Sequence, residues 1–304
     1  MLQLESRLID KIHEKGTKEC GVTNLLYVSS FIKQLDCYLS GNIELSASEI
    51  EKKLDFLIGC MTLTLDLPYV ELEFLRARKC EKEPFLNVSE LSYIHKPNAN
   101  CPKLGRLNGP GVPLFYAAII NSKSDKGLHV VLSEANAYKM DQLSILRSHQ
   151  KSGVELNLRS IGVWDYIRQN SKPRYMSGNV YKYYSLAFKE MSNAFSKELL
   201  LAYALTDRFL ADIMCRNGSD RLYSVTSIAS QIMLDSKSID GIVYSSVASK
   251  GEPVIALKPE AVDAKLEHKC VSQVAIREHY GYGFYNYENE KIANMNELTG
   301  QLVW

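Results

Sequence analysis

The sequence is poor in every feature that would mark a specialised class. It has no Cys-x-x-Cys pair, and its seven cysteines (Cys20, Cys37, Cys60, Cys80, Cys101, Cys215 and Cys270) are scattered along 304 residues. An odd, dispersed set argues against a disulfide framework and fits reduced cysteines used for packing. The six histidines offer no ligand pairs at short spacing, so no metal site is expected. Net charge is almost absent: 36 Lys plus Arg face 35 Asp plus Glu, leaving +1. That balance gives no general field for nucleic acid or an anionic membrane, and neither partner is expected. Glycine (17) and proline (9) are too few for a collagen-like or low-complexity chain. No run reaches 18 apolar residues, so no membrane span is expected. The opening MLQLESRLIDKIHEKG is amphipathic and charged without an apolar stretch, which predicts no signal peptide and a cytoplasmic location.

What is present is an ordinary globular balance, long enough for one large domain or two unequal ones. The first sixty residues read as helical. Leu25, Leu26, Val28, Phe31, Ile32 and Leu35 recur near helical spacing behind Thr23 and Asn24, which can cap the start. Ser46-Ala47-Ser48-Glu49 has capping-box spacing in front of Ile50, Leu54 and Leu57. From residue 61 the period shortens: Leu63, Leu65 and Leu67 alternate, Pro68 interrupts, and Val70, Leu72 and Phe74 continue as strand. Residues 79–112 form a long irregular connection, a kind of loop that is often functional. Val112–Ile120 reads as strand, 128–147 as helix, 154–164 as strand, and Lys182–Cys215 as the clearest helical stretch. A helix at Val225–Leu234 and short strands at Ile242–Ser246, Val254–Lys258 and Val271–Ile276 follow, with GYGFYNYENE as a polar-aromatic surface turn. Helices and strands mix without βαβ alternation, which predicts α+β rather than a doubly wound sheet.

Three stretches carry residue types suited to chemistry. Gly105-Arg106-Leu107-Asn108-Gly109-Pro110-Gly111 is a tight turn that exposes backbone N–H groups, and Arg106 and Asn108 share a side if it is extended. A guanidinium beside free N–H groups suits a pyrophosphate. Glu134 follows the apolar run Leu128–Leu132, placing a carboxylate at the edge of the core. Asp240-Gly241-Ile242-Val243-Tyr244-Ser245-Ser246 is a turn feeding a strand that ends in two hydroxyls. Singly, each reads more simply as a turn, a helix charge and an edge strand.

Their order carries more. With Arg76-Ala77-Arg78 upstream and Tyr223-Ser224-Val225-Thr226 in between, they resemble the RES domain family, named for an Arg, a Glu and a Ser that match Arg106, Glu134 and Ser246. The likeness spans roughly residues 68–265. It departs from the family pattern in a longer interval from Tyr116 to Glu134, as though 121–126 were inserted, and in Gly251-Glu252-Pro253-Val254, which lacks an Asn. The resemblance implies an ADP-ribosyltransferase-like mixed core with an N-terminal helical extension, partitioned as 1–67, a RES-like domain at 68–280 and a tail at 281–304. It also implies NAD as substrate, consumed by phosphorolysis or hydrolysis as in the toxins of toxin–antitoxin pairs, with a protein antitoxin or regulator as partner. ADP-ribosyl transfer to a protein and a non-catalytic NAD-binding or protein-interaction module are the alternatives. In the matched roles Glu134 holds the ribose 2′-hydroxyl and stabilises an oxocarbenium-like state. Arg106, with Arg78 second, binds the pyrophosphate beside Asn108. Tyr116 packs on the nicotinamide or ribose, and Ser246 hydrogen-bonds the carboxamide.

Overall fold

The computed structural model describes residues 4–60, 71–80, 83–95, 102–120, 126–173, 176–249, 251–296 and 298–304. The chain opens with helices α1 (Ser6–Lys18), α2 (Gly21–Leu39) and α3 (Ala47–Asp55). Strands β1 (Glu73–Lys79) and β2 (Phe115–Ile120) follow, then α4 (Lys126–Glu134), β3 (Gln142–Gln150) and β4 (Leu158–Ser160). Helices α5 (Val163–Arg168), α6 (Gly178–Ala194), α7 (Lys197–Cys215) and α8 (Asp220–Leu234) come next. The chain ends in β5 (Gly241–Ser245), β6 (Pro253–Leu257), α9 (Pro259–Lys265), β7 (Leu266–Gly281), β8 (Phe284–Met295) and β9 (Leu302–Val303). No described helix is long and apolar enough to cross a membrane.

Two compact units emerge. The helical unit comprises Met1–Pro68, Leu104–Gly109 and Arg159–Ser236. Its helices pair as α1 with α6, α2 with α7 and α3 with α8. Leu8, Ile12, Val28, Leu35, Ile50, Leu54, Ala202, Ile213 and Val225 are buried there, each large side chain contributing about 1.5–3 kcal/mol. Close approach demands small residues. A Cβ on Gly21 would lie 2.1 Å from Oγ of Ser196, and one on Gly16 2.3 Å from the Ala194 carbonyl oxygen. The sheet unit comprises Tyr69–Lys103, Pro110–Leu158 and Lys237–Trp304. Strand order is β4-β5-β6-β2-β1-β3-β7-β8-β9, and every pair from β5 to β9 is antiparallel. Phe74, Phe115, Leu143, Ile255 and Val274 are fully buried in it. Helices together with this largely antiparallel sheet make an α+β protein.

Several expectations need correcting. The 68–280 segment is not one unit, because α6 to α8 pair with the N-terminal helices, and 281–304 is not a tail, because β8 and β9 extend the sheet. Helix α2 begins after Cys20, with Thr23 and Asn24 inside its first turn, where their side chains turn back to Cys20 and Glu19. The capping box at Ser46 and Glu49 is present as read. The 128–147 stretch is a helix only to Glu134. Asn136, at φ 49°, ends the turn, and β3 follows. The 154–164 strand shrinks to β4, since Val163 already starts α5. The Lys182–Cys215 stretch is two helices, broken where Ser196 caps α7 by accepting from the Leu199 N–H. The proposed strand through Leu63, Leu65, Leu67 and Val70, and residues 121–125, lie outside the described residues.

Candidate functional site

Two chemistry-bearing residues meet in the sheet unit. After β5 the chain turns back on itself. The Ser246 N–H donates to the Glu252 carbonyl (2.8 Å), and the Glu252 N–H to that of Ser249 (2.9 Å). Ser246 is 2% exposed. Its hydroxyl accepts from the Ser249 N–H at 2.8 Å and donates to Oε1 of Glu134, 112 residues away. Both lone-pair and proton directions of that hydroxyl are therefore fixed. Glu134 is the last residue of α4 and is exposed. A helix C-terminus disfavours negative charge, so helix stability does not explain a carboxylate there. The result is a solvent-facing carboxylate whose orientation is held by a buried serine, an arrangement able to stabilise positive charge developing in front of it.

The pleat decides which other residues can join it. Leu75 pairs with Ala118, and side chains alternate along each strand, so Ala77 keeps to the face of Leu75 and Ala118 while Arg76 and Arg78 do not. Tyr116 thus shares the sheet face of Ala118 and Ile120. Helix α4 packs on that face through Gly127, where an added Cβ would lie 1.9 Å from Ile120 Cγ2. Arg76 and Arg78 point to the opposite face. There Arg76 donates to the carbonyls of Leu91 (2.9 Å) and Tyr116 (2.6 Å) and lies over the Phe115 ring at 5.4 Å. Burial, with Arg78 beside it, lowers the Arg76 guanidinium to about 10. Arg78 donates to the Glu90 carbonyl, and burial lowers it too. The register therefore separates Arg78 from Tyr116 by the thickness of the sheet.

The glycine-rich turn belongs to the helical unit. Arg106 donates through Nη1 to the Met214 carbonyl and through Nη2 to the Arg216 carbonyl, both at 2.9 Å, and its guanidinium lies 5.6 Å from the Tyr223 ring centre. These are end-of-helix carbonyls of α7, which have no partner within the helix. Asn108 is buried, with its carbonyl accepting from the Gly105 N–H and its Nδ2 donating to the Gly109 carbonyl. Arg106 and Asn108 thus hold the turn and the end of α7 together. Among the expected site residues, Glu134 and Ser246 are brought into contact, and Tyr116 lies on the face against which α4 packs.

Sequence reading passed over Ser249, which fixes the Ser246 hydroxyl, and His129, whose Nδ1 accepts from the Tyr285 N–H at 3.4 Å. Neither carried a signal beyond following, or sitting within, a named motif. Among the described residues there is no group of three or more His, Cys, Asp or Glu placed to hold a metal ion. Comparison with protein-family models, curated proteins and solved structures finds no match.

Proposed function

We propose that this chain is an NAD-consuming enzyme of the RES type, cleaving the nicotinamide–ribose bond with water or phosphate as acceptor. On this reading the sheet unit is the ADP-ribosyltransferase-like core. The C1′–N1 bond breaks, nicotinamide leaves with the bonding electron pair, and the acceptor oxygen attacks the ribosyl carbon. Glu134 faces the developing cation and holds the 2′-hydroxyl, an interaction stronger in the transition state than in the ground state. The Ser246 hydroxyl spends its one hydrogen bond as a donor on Glu134 and accepts from the Ser249 N–H. It is therefore a positioning residue for the carboxylate rather than a carboxamide donor.

The observation supporting this is the hydrogen bond between Glu134 and Ser246, two residues the motif order singles out and the chain separates by 112 positions. The test is release of nicotinamide from NAD by the purified chain, with and without phosphate, followed by identification of the ribosyl product. Release without an acceptor protein is expected. ADP-ribose retained on a protein would assign the transferase alternative. NAD binding with no turnover by the folded chain would make it a non-catalytic module.

A further inference from the structure

β7 and β8 are joined by a two-residue turn. Gly281 pairs with Phe284, which leaves Tyr282 and Gly283 at the centre. Both have positive φ, 55° and 78°, as a short hairpin between right-twisted strands requires. Asn or Asp suits the first of these places, and a bulky side chain in the left-handed region is strained. Tyr282 stands there instead, and its side chain is wholly exposed, at 100%. Neither turn chemistry nor packing accounts for it.

The turn lies against the candidate site. A Cβ on Gly283 would be 3.4 Å from Ser133 Oγ and 3.8 Å from Ser249 Oγ. Ser133 precedes Glu134, and Ser249 is the residue whose N–H holds the Ser246 hydroxyl. Ser133 Oγ is itself buried without a hydrogen-bond partner. The strands behind the turn are firmly packed. Tyr285 is buried and stacks on His279 at 4.5 Å and 6°, and the His129 ring lies 6.1 Å from Tyr285 and 6.2 Å from Phe284. Phe284 nevertheless remains 64% exposed. Two aromatic rings are thus presented to solvent on a supported tip, on either side of Gly283, which lies against Ser133, the residue before Glu134.

We infer that Tyr282 and Phe284 form a ring-binding lip for the site, and that its occupant is the cationic pyridinium of oxidised NAD. This deepens the proposed function and rests on it. The face of an aromatic ring carries negative potential and attracts a planar cation. The neutral dihydropyridine of NADH gains no such attraction. The lip therefore selects oxidation state, a task that a pyrophosphate or ribose contact cannot perform.

The full-length chain and the variants Tyr282→Asn, Tyr282→Phe and Phe284→Leu are titrated with four probes: NAD, NADH, ADP-ribose, and 1-methylnicotinamide, which is the cationic ring alone. NAD is expected to bind more tightly than NADH. Tyr282→Asn and Phe284→Leu should each weaken NAD and 1-methylnicotinamide several-fold to about tenfold, while ADP-ribose is unaffected and Tyr282→Phe keeps the affinity. Tyr282→Asn should also raise the thermal midpoint by relieving the turn, so that weaker binding cannot be ascribed to unfolding. Equal affinity for NAD and NADH, an ADP-ribose loss matching the NAD loss, or unchanged binding in both ring variants overturns the lip. Cleavage of NAD with unchanged ring affinity in these variants removes the lip and leaves the proposed function standing. Tyr282-dependent capture of 1-methylnicotinamide by a chain that neither binds nor cleaves NAD does the reverse.

Discussion

Replacing Arg106 by alanine separates a structural role from a ligand-binding one. Its guanidinium satisfies the carbonyls of Met214 and Arg216 at the end of α7 and lies over Tyr223. A hydrogen bond from a charged donor is worth about 1.5–3 kcal/mol, and a partly exposed cation–π contact about 0.5–1 kcal/mol. Arg106 is half-buried, so the lower ends apply, and Arg106→Ala should cost about 3.5 kcal/mol. For a chain of this size that corresponds to a fall of roughly 7–14 °C in thermal midpoint. Arg106→Lys keeps the charge near the helix end but reaches one carbonyl at most, so it should recover about half. The assays are a thermal melt of each variant and an NAD titration at a temperature where all remain folded. A pyrophosphate ligand predicts the opposite pattern, with the melt unchanged and NAD affinity falling at least tenfold. That result would refute the structural assignment.

Glu134→Gln should lower kcat and kcat/KM together by about 10²–10³ while leaving NAD affinity largely intact, as read by nicotinamide release and calorimetry. Ser246→Ala should lower kcat by a smaller factor with KM little changed, and Ser246→Thr should restore part of it, because the hydroxyl acts by orienting Glu134. Gly127→Ala should destabilise by about 1–3 kcal/mol through its clash with Ile120, and the added change Ile120→Ala should recover part of that in a urea melt. Asp207 is buried on α7, where it accepts from the backbone N–H groups of Gly162 and Asp165, and burial pushes its carboxyl up to about 6. A carboxyl raised in the native state binds its proton more tightly there than when unfolded. Its contribution is therefore full below about pH 4 and is lost as pH rises through about 6, by about 3 kcal/mol. Urea midpoints at pH 4.5 and 7 should show this slope in the unaltered chain and lack it in Asp207→Asn.

What the sequence made legible was chemistry that closes within a few residues. Ser46 and Glu49 satisfy each other across one turn, so their box could be read directly, and Asp240-Gly241 marked the entry to β5. The misreadings share another cause. Leu128, Val131 and Leu132 set a helical period that Leu143, Ile145 and Leu146 prolong, and only the left-handed Asn136 shows that the chain has changed to strand in between. The 1–67 and 68–280 partition followed the order of motifs, but α2 with α7 and α3 with α8 pair across more than a hundred residues, and no local pattern encodes that. Site residues divide the same way. Nothing near Arg106 announces that its partners are carbonyls 108 and 110 residues away, so a ligand-binding guanidinium and a half-buried clasp read alike in sequence. Arg78 and Tyr116 are separated by strand parity, since a shift of one residue in the pairing of β1 with β2 would have put them on one face. Glu134 and Ser246 were nominated by residue type and order, and only the folded sheet makes them hydrogen-bond partners. The hairpin tip lies between these cases: Gly281-Tyr282-Gly283 reads as a turn in sequence, but a tyrosine left fully in solvent next to a glycine that lies against Ser133 is a property of the packing of β7, β8 and α4. Residues unexplained by local propensity and by packing are where function is to be sought, and Tyr282 meets that description as Glu134 does at the end of its helix.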